Sequence, residues 1–152
     1  MEDAKVQVGD YYVITNLEND IDEKIFITEV NYVNNEIKCR NENFIEEEYS
    51  DKLSNISNIF FYRKYNIIDI KVFNSFLLAK LTPDAYIILS DSIIIKTNPK
   101  IDEFLIDKKS RFFNQFIAEI NLNSSQIILE MPHFFLGKAI VNGKVFNGYI
   151  EV

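Results

Sequence analysis

Hydrophobic and polar residues alternate with a period of two along most of this chain, a pattern that predicts strands rather than helices. Val8-Gly9-Asp10 predicts a turn into a first strand at Tyr11–Ile14, and the polar stretch Asn16–Glu23 predicts a loop. From Lys24 to Val30 one side carries Ile25, Ile27 and Glu29 and the other Phe26, Thr28 and Val30, so the pattern alone does not decide which side is inside. Asn34-Asn35 predicts a two-residue turn, because Asn tolerates positive φ. Glu36–Arg40 then returns as a strand with Ile37 and Cys39 on one face.

The Ser- and Asn-rich stretch Ser50–Asn58 predicts a loop or linker. Ile59–Tyr65 and Asn66–Phe73 read as two strands, and Ser75–Leu81 fits either a buried helical turn or a strand. Thr82-Pro83-Asp84 breaks the pattern. Tyr86–Leu89 and Ile93–Lys96 flank Ser90-Asp91-Ser92, two apolar runs around a polar turn, which predicts a hairpin near the middle of a sheet. Asn98-Pro99 offers a cap and a first helical residue. Ile101, Phe104, Leu105, Phe112, Phe116, Ile117 and Ile120 follow as an apolar stripe, predicting one amphipathic helix at about 99–120. The stripe weakens at Lys108-Lys109, where Ser110 could cap a second piece. Gln126–Met131 reads as a strand, and Lys138–Val141 and Lys144–Tyr149 flank Asn142-Gly143, a strong hairpin signal.

These elements predict an α+β fold, mainly antiparallel β. It has an N-terminal small-barrel-like meander, further sheet, one helix and a C-terminal β-hairpin. The 152 residues suit one compact domain, 1–152, with a subdivision into an acidic meander 1–50 and an α+β part 58–152 joined by loop 50–58. With 47% hydrophobic and 26% charged residues, disorder is not expected. The apolar content, rich in Ile, Phe and Tyr and without Trp, suits a pleated surface.

A single cysteine, Cys39, excludes an internal disulfide framework and fits a reducing, cytoplasmic setting. The acidic start Met1-Glu2-Asp3 is followed by no apolar run and does not read as a secretory signal. The charge-free stretches Val72–Ala79 and Ile120–Leu129 are shorter than the roughly 18 apolar residues of a membrane span, so no membrane is expected.

Charge is distributed unevenly. Residues 1–51 hold 14 Asp/Glu against 4 Lys/Arg, and residues 52–152 hold 9 against 12. The excess sits in Glu18–Glu23 and Glu42–Asp51. Carboxylates in such rows steer a basic protein into register, which makes Glu18, Asp20, Asp22, Glu42, Glu46, Glu47 and Glu48 the candidate partner-binding residues. Tyr11, Tyr12, Tyr32, Phe44 and Tyr49 are candidate buried anchors for such an interface.

Catalytic chemistry finds little to work with. His133 is the single histidine, and the four glycines form no phosphate cradle. Glu18, Asp20, Asp22 and Glu29 echo a calcium loop. Glu23 stands where the sharp turn needs Gly, however, and a strand follows instead of a helix. No cofactor, no metal and no catalysis are expected. Phe60–Tyr65 interleaves aromatic and basic residues. As a strand it would offer Phe61, Arg63 and Tyr65, with Lys64, to single-stranded nucleic acid. Lys108, Lys109 and Arg111 read as an exposed helix face. The leading expectation is a protein-binding protein of the inhibitor, immunity or antagonist type that engages a basic partner through its acidic third. The alternatives are the nucleic-acid module and a subunit of a homo-oligomer.

Overall fold

The structure, a computed structural model, describes residues 5–18, 20–56, 60–98, 100–121, 126–131 and 137–151. Its contacts group into two compact units. The meander unit is drawn from Val6–Tyr62 and Ala85–Asn98, and the helix unit from Met1–Lys5, Arg63–Asp84 and Pro99–Val152. The chain passes from one unit to the other after Lys5, after Tyr62, after Asp84 and after Asn98, the second of these points lying inside a strand. Ser50 to Lys52 end a strand, and Leu53–Ile56 form a 3-10 turn.

In the meander unit β1 (Tyr11–Asn16), β2 (Ile21–Asn31), β3 (Glu36–Asn41) and β4 (Glu48–Lys52) pair antiparallel in chain order. Ile25 and Ile27 win the contest left open by the sequence. Both are buried against the face that carries Ile37 and Cys39, while Thr28 interrupts the β2–β3 register. The turn between β2 and β3 takes four residues, 32–35, not two. Asn34 N–H donates to the Asn31 side chain (3.1 Å) and Asn35 takes the left-handed φ of 56°. β1 also meets β5 (Phe61–Val72) at Tyr11↔Tyr62. Among the described residues β4 pairs with β3 alone, so the meander stays open and is not a small barrel.

The unit also holds β7 (Tyr86–Ser90) and β8 (Ile93–Lys96), a separate two-stranded sheet. This hairpin is not central to a sheet, as its apolar runs suggested. Tyr86, Ile88 and Ile94 are exposed.

The helix unit takes the rest of β5, which is one twelve-residue strand with an irregularity at Ile68 and not two strands. The ambiguous stretch becomes β6 (Phe76–Thr82), with Leu77, Ala79 and Leu81 buried. β6 pairs with β9 (Asp102–Asp107) and β9 with β12 (Lys144–Glu151). β12 pairs with β11 (Gly137–Val141), β11 with β10 (Gln126–Met131), and β10 again with β5. Asn142 and Gly143 close the C-terminal hairpin with φ of 51° and 80°, the paired left-handed residues of a type I′ turn.

The helix expected at about 99–120 is half strand. Asp102, Phe104 and Ile106 are buried at alternate positions, held by ladders on both sides, so period two prevails over the apolar stripe. Among the described residues the single α-helix is α1 (Phe113–Asn121). Ser110 caps it as the sequence suggested, its hydroxyl accepting from Phe112 N–H (3.2 Å). Phe113, Phe116 and Ile120 face the sheet, and Phe116 packs tilted on Phe104 (5.6 Å) and edge-on to Phe146 (5.3 Å). At its end Glu119 accepts from the Lys144 ammonium and from the Asn142 amide (3.2 Å), tying the helix to the I′ turn. That pairing holds the Glu119 carboxyl below its ordinary pKa.

β12 runs close against β9 at Gly148. A Cβ there would stand 2.6 Å from the Leu105 carbonyl oxygen and closer still to the Phe104 ring. Gly148→Ala is expected to cost about 2–3 kcal/mol through overpacking. Gly143→Ala has open space around it and meets only the left-handed backbone, at about 1 kcal/mol. Urea midpoints of the two variants measure the difference.

Candidate functional site

The register of the meander brings the two acidic stretches to one end. Asn16↔Ile21 closes the β1–β2 connection, and Asp20 takes a left-handed φ of 53° within it. The β2–β3 pairing ends at Ile25↔Asn41, so β2 extends four residues past β3, roughly 14 Å at strand rise. The β3–β4 connection 42–47 folds alongside this projecting hairpin. Glu42 N–H donates to the Lys24 carbonyl (3.0 Å), Lys24 N–H donates to the Glu42 carboxylate (3.3 Å), and the Asn41 amide donates to Glu23 (2.9 Å). Glu18, Asp20, Asp22, Glu42, Glu46, Glu47 and Glu48, spread over thirty-one positions of sequence, are thus at the same end, with Glu23 among them.

They differ in role. Glu46 and Glu47 are exposed on the connection. Asp22 accepts from the Thr15 hydroxyl (2.8 Å). Glu48 is partly structural: it accepts from the Thr28 hydroxyl (3.0 Å) and lies 3.5 Å from Arg40, whose guanidinium also donates to the Ile45 carbonyl (2.6 Å). The charge asymmetry persists with these boundaries, though it is smaller than between residues 1–51 and 52–152. By sequence the meander unit holds 13 Asp/Glu against 5 Lys/Arg, net −8, and the helix unit 10 against 11, net +1.

Apolar side chains stand among the carboxylates. Tyr12, Ile14 and, across the ladder, Ile21 and Ile25 share the face of β1 and β2 that is core further along. Past the end of β3 that face is uncovered, and Ile14, Ile21, Leu17 and Phe44 are exposed, Leu17 at 92%. Of the aromatic residues expected as anchors, Phe44 and Tyr49 are exposed on the 42–52 stretch. Tyr32 lies at the opposite end, and Tyr11 and Tyr12 are buried. Sequence reasoning missed Ile14, Leu17 and Ile21. Their signal was the presence of large apolar residues, Leu17 and Ile21, inside a stretch otherwise acidic and polar.

Beneath this surface Tyr12 contacts Tyr49 and the Cys39 thiol through hydrogen bonds. Burial pushes the Cys39 thiol up to about 11; the Tyr12 hydroxyl opposes it by hydrogen bonding, and the carboxylates of Asp51 and Glu48 add lesser upward pushes. Burial, with Tyr62 and Glu42 nearby, pushes Tyr11 up to about 12, and burial raises Tyr12 too.

An open cleft of about 460 Å³ lies in the same unit, lined by Thr28, Arg40 and Glu48 of the meander and by residues 92–96 of the hairpin. Among the described residues no group of three His, Cys, Asp or Glu side chains could hold a metal ion, and no helix is long and apolar enough to cross a membrane. His133 lies outside the described residues.

No family model, no curated protein and no solved structure matches the chain. Function therefore rests on local geometry.

The face proposed for nucleic acid is interior. Phe61, Arg63 and Tyr65 are buried, with Lys64 alone turned outward and exposed. Arg63 donates to the Tyr65 hydroxyl (3.0 Å) and the Lys5 carbonyl (2.9 Å) and lies 3.7 Å from Asp102. The Tyr65 hydroxyl donates to the same Asp102 oxygen, while the other, Oδ1, has no hydrogen-bond partner among the described residues. Lys108, Lys109 and Arg111 precede α1 and do not lie on it. Lys109 N–H is bonded to Asp107 (2.8 Å), and Arg111 sits over the Phe112 ring (4.8 Å).

Two outcomes follow from these buried groups. Arg63→Met leaves Asp102 without its counter-charge and is expected to cost about 3–5 kcal/mol in urea unfolding, a larger loss than the double change Arg63→Met/Asp102→Leu. For Cys39 and Tyr11 the folded pKa lies above the ordinary values of 9.0 and 10.0. Their contribution is complete below pH 9 and is lost as pH rises toward 11 and 12. The urea midpoint should therefore fall across that alkaline window, and at pH 8 a disulfide reagent should label Cys39 only at the rate of unfolding.

Proposed function

We propose that this chain is a non-catalytic, cytoplasmic protein-binding protein that engages a basic partner through the acidic end of its meander unit, in the manner of an inhibitor, immunity protein or antagonist. The observation that carries this reading is the meeting of residues 17–22 and 42–48 at one end, with exposed Ile14, Leu17, Ile21 and Phe44 among them. Carboxylates alone give long-range attraction and little residence. Apolar side chains alone give residence without orientation. An interface that is both fast and lasting needs apolar anchors desolvated inside a charged rim. This end offers both. Cys39, buried and without a disulfide, suits a reducing compartment.

The burial of Phe61, Arg63 and Tyr65 removes the surface on which the nucleic-acid alternative rested. The homo-oligomer alternative is checked by sedimentation at rising concentration.

The partner is to be captured from the native host at low salt and identified by mass spectrometry, and its binding kinetics are then measured. Reversing Glu46 and Glu47 to Lys, with Glu18 and Asp20 reversed in a second variant, is expected to lower the on-rate about tenfold or more at low salt. The gap to the parent should close at high salt. Phe44→Ala is expected to raise the off-rate instead. An on-rate indifferent to both reversals at low salt overturns the reading. Glu48 is a poorer probe, because its loss also frees Arg40 and Thr28.

A further inference from the structure

β8 is a strand with one partner. Among the described residues it pairs with β7 and with nothing else. The register is Tyr86↔Lys96, Ile87↔Ile95 and Ile88↔Ile94, and Thr97 N–H donates to the Ala85 carbonyl (3.0 Å) just beyond it. In an antiparallel pair, bonded and non-bonded positions alternate. Ala85/Thr97 is bonded, so Ile87/Ile95 is bonded, and Tyr86/Lys96 and Ile88/Ile94 are not. Ile94 and Lys96 therefore direct their backbone N–H and C=O groups away from β7, along the open side of the strand.

That strand lines the 460 Å³ cleft whose other residues include Thr28, Arg40 and Glu48. The volume is within the range of roughly 300–1,000 Å³ typical of ligand sites. Charge and side chains define what fits. Arg40 and Glu48 largely compensate each other at 3.5 Å, and Lys96 has no ion-pair partner among the described residues. Ile94 and, across the ladder, Ile88 are exposed at 59% and 71% on the face that also carries Lys96. An exposed apolar strand edge is a template that folded chains normally cover or blunt. Among the described residues it is left open here, beside a cleft and a cation without an ion-pair partner.

We propose that β8 is the docking edge for an extended, acidic-apolar peptide segment of a protein partner. The segment adds as a third strand to the hairpin, bonds to the backbone of Ile94 and Lys96, lays an apolar side chain beside Ile94 and sets a carboxylate beside Lys96. Main-chain bonds supply affinity in such strand addition, and alternate side chains supply selectivity. The cleft shares Glu48 with the acidic end, but the occupant differs: an acidic segment here, a basic surface in the reading proposed for that end.

The test uses the full chain and a phage-displayed library of random dodecapeptides. Recovered peptides are expected to alternate apolar and polar residues and to carry an acid. Ile94→Pro removes an N–H that no ladder bond uses, and is expected to weaken the recovered peptides about tenfold or more, while Ile94→Val leaves them unchanged. Lys96→Glu weakens them as well. N-methylation of alternate peptide amides abolishes binding in one register only, a readout on the unaltered protein that decides the matter even where Ile94→Pro fails to fold.

Failure to recover any peptide overturns the proposal, as do peptides that bind Ile94→Pro as tightly as the parent. Peptides released by Glu46→Lys/Glu47→Lys and not by Lys96→Glu place the ligand at the acidic end and overturn it too. A fall in sedimenting mass on Ile94→Pro assigns the edge to a second copy of this chain, with the same consequence.

Discussion

The register of β2 is the constraint on which the meander depends. Its side chains alternate, so a slip of one residue would turn Ile25 and Ile27 to solvent and bring Lys24 and Phe26 inward. Burial of the two isoleucines against Ile37 and Cys39 excludes that slip. With the register held, the lengths of the strands decide the rest. β2 is eleven residues long and β3 six, so the β1–β2 hairpin must project, and the 42–47 connection must run beside it. The acidic end follows from strand pairing, and the charges there are free to be surface charges because the isoleucines further along hold the fold.

The helix unit rests on a different balance. Phe104, Phe116 and Phe146 form an aromatic contact between β9, α1 and β12 that carries α1 onto the sheet. A nine-residue helix has little stability of its own, and its capping by Ser110 and its tie through Glu119 to the β11–β12 turn hold both ends. Arg63, Tyr65 and Asp102 are buried in the same unit as a paired charge. Replacing such a group by apolar residues is often harmless, while removing one member is not.

Function, as proposed, uses what the core leaves uncovered. At the acidic end the apolar face of β1 and β2 outruns its cover, and at β8 a strand edge lacks a neighbour among the described residues. Both are ordinary hazards for a β-rich chain, since open apolar edges invite association. The carboxylates around the first repel other copies of the same end, and in the proposed reading favour a partner of opposite charge.

Much of this protein was legible in the order of its residues. Period-two alternation identified most strands, Asn142-Gly143 announced its turn, and Ser110 announced its cap, because these are local preferences of side chain and backbone. The acidic stretches and the lone Cys39 were equally plain. Tertiary structure alone decided matters that depend on neighbours distant in the chain. Residues 101–107 satisfied both helical and strand patterns, and became a strand because β6 and β12 supplied hydrogen-bond partners on both sides. Arg63 looked like a surface cation and is interior because Asp102, thirty-nine positions later, lies beside it. The two acidic stretches were separate loops in sequence and share one end because an antiparallel ladder returns the chain to where it began. Local sequence carries local preference; pairing, burial and the meeting of charges are settled by which segments the fold brings side by side.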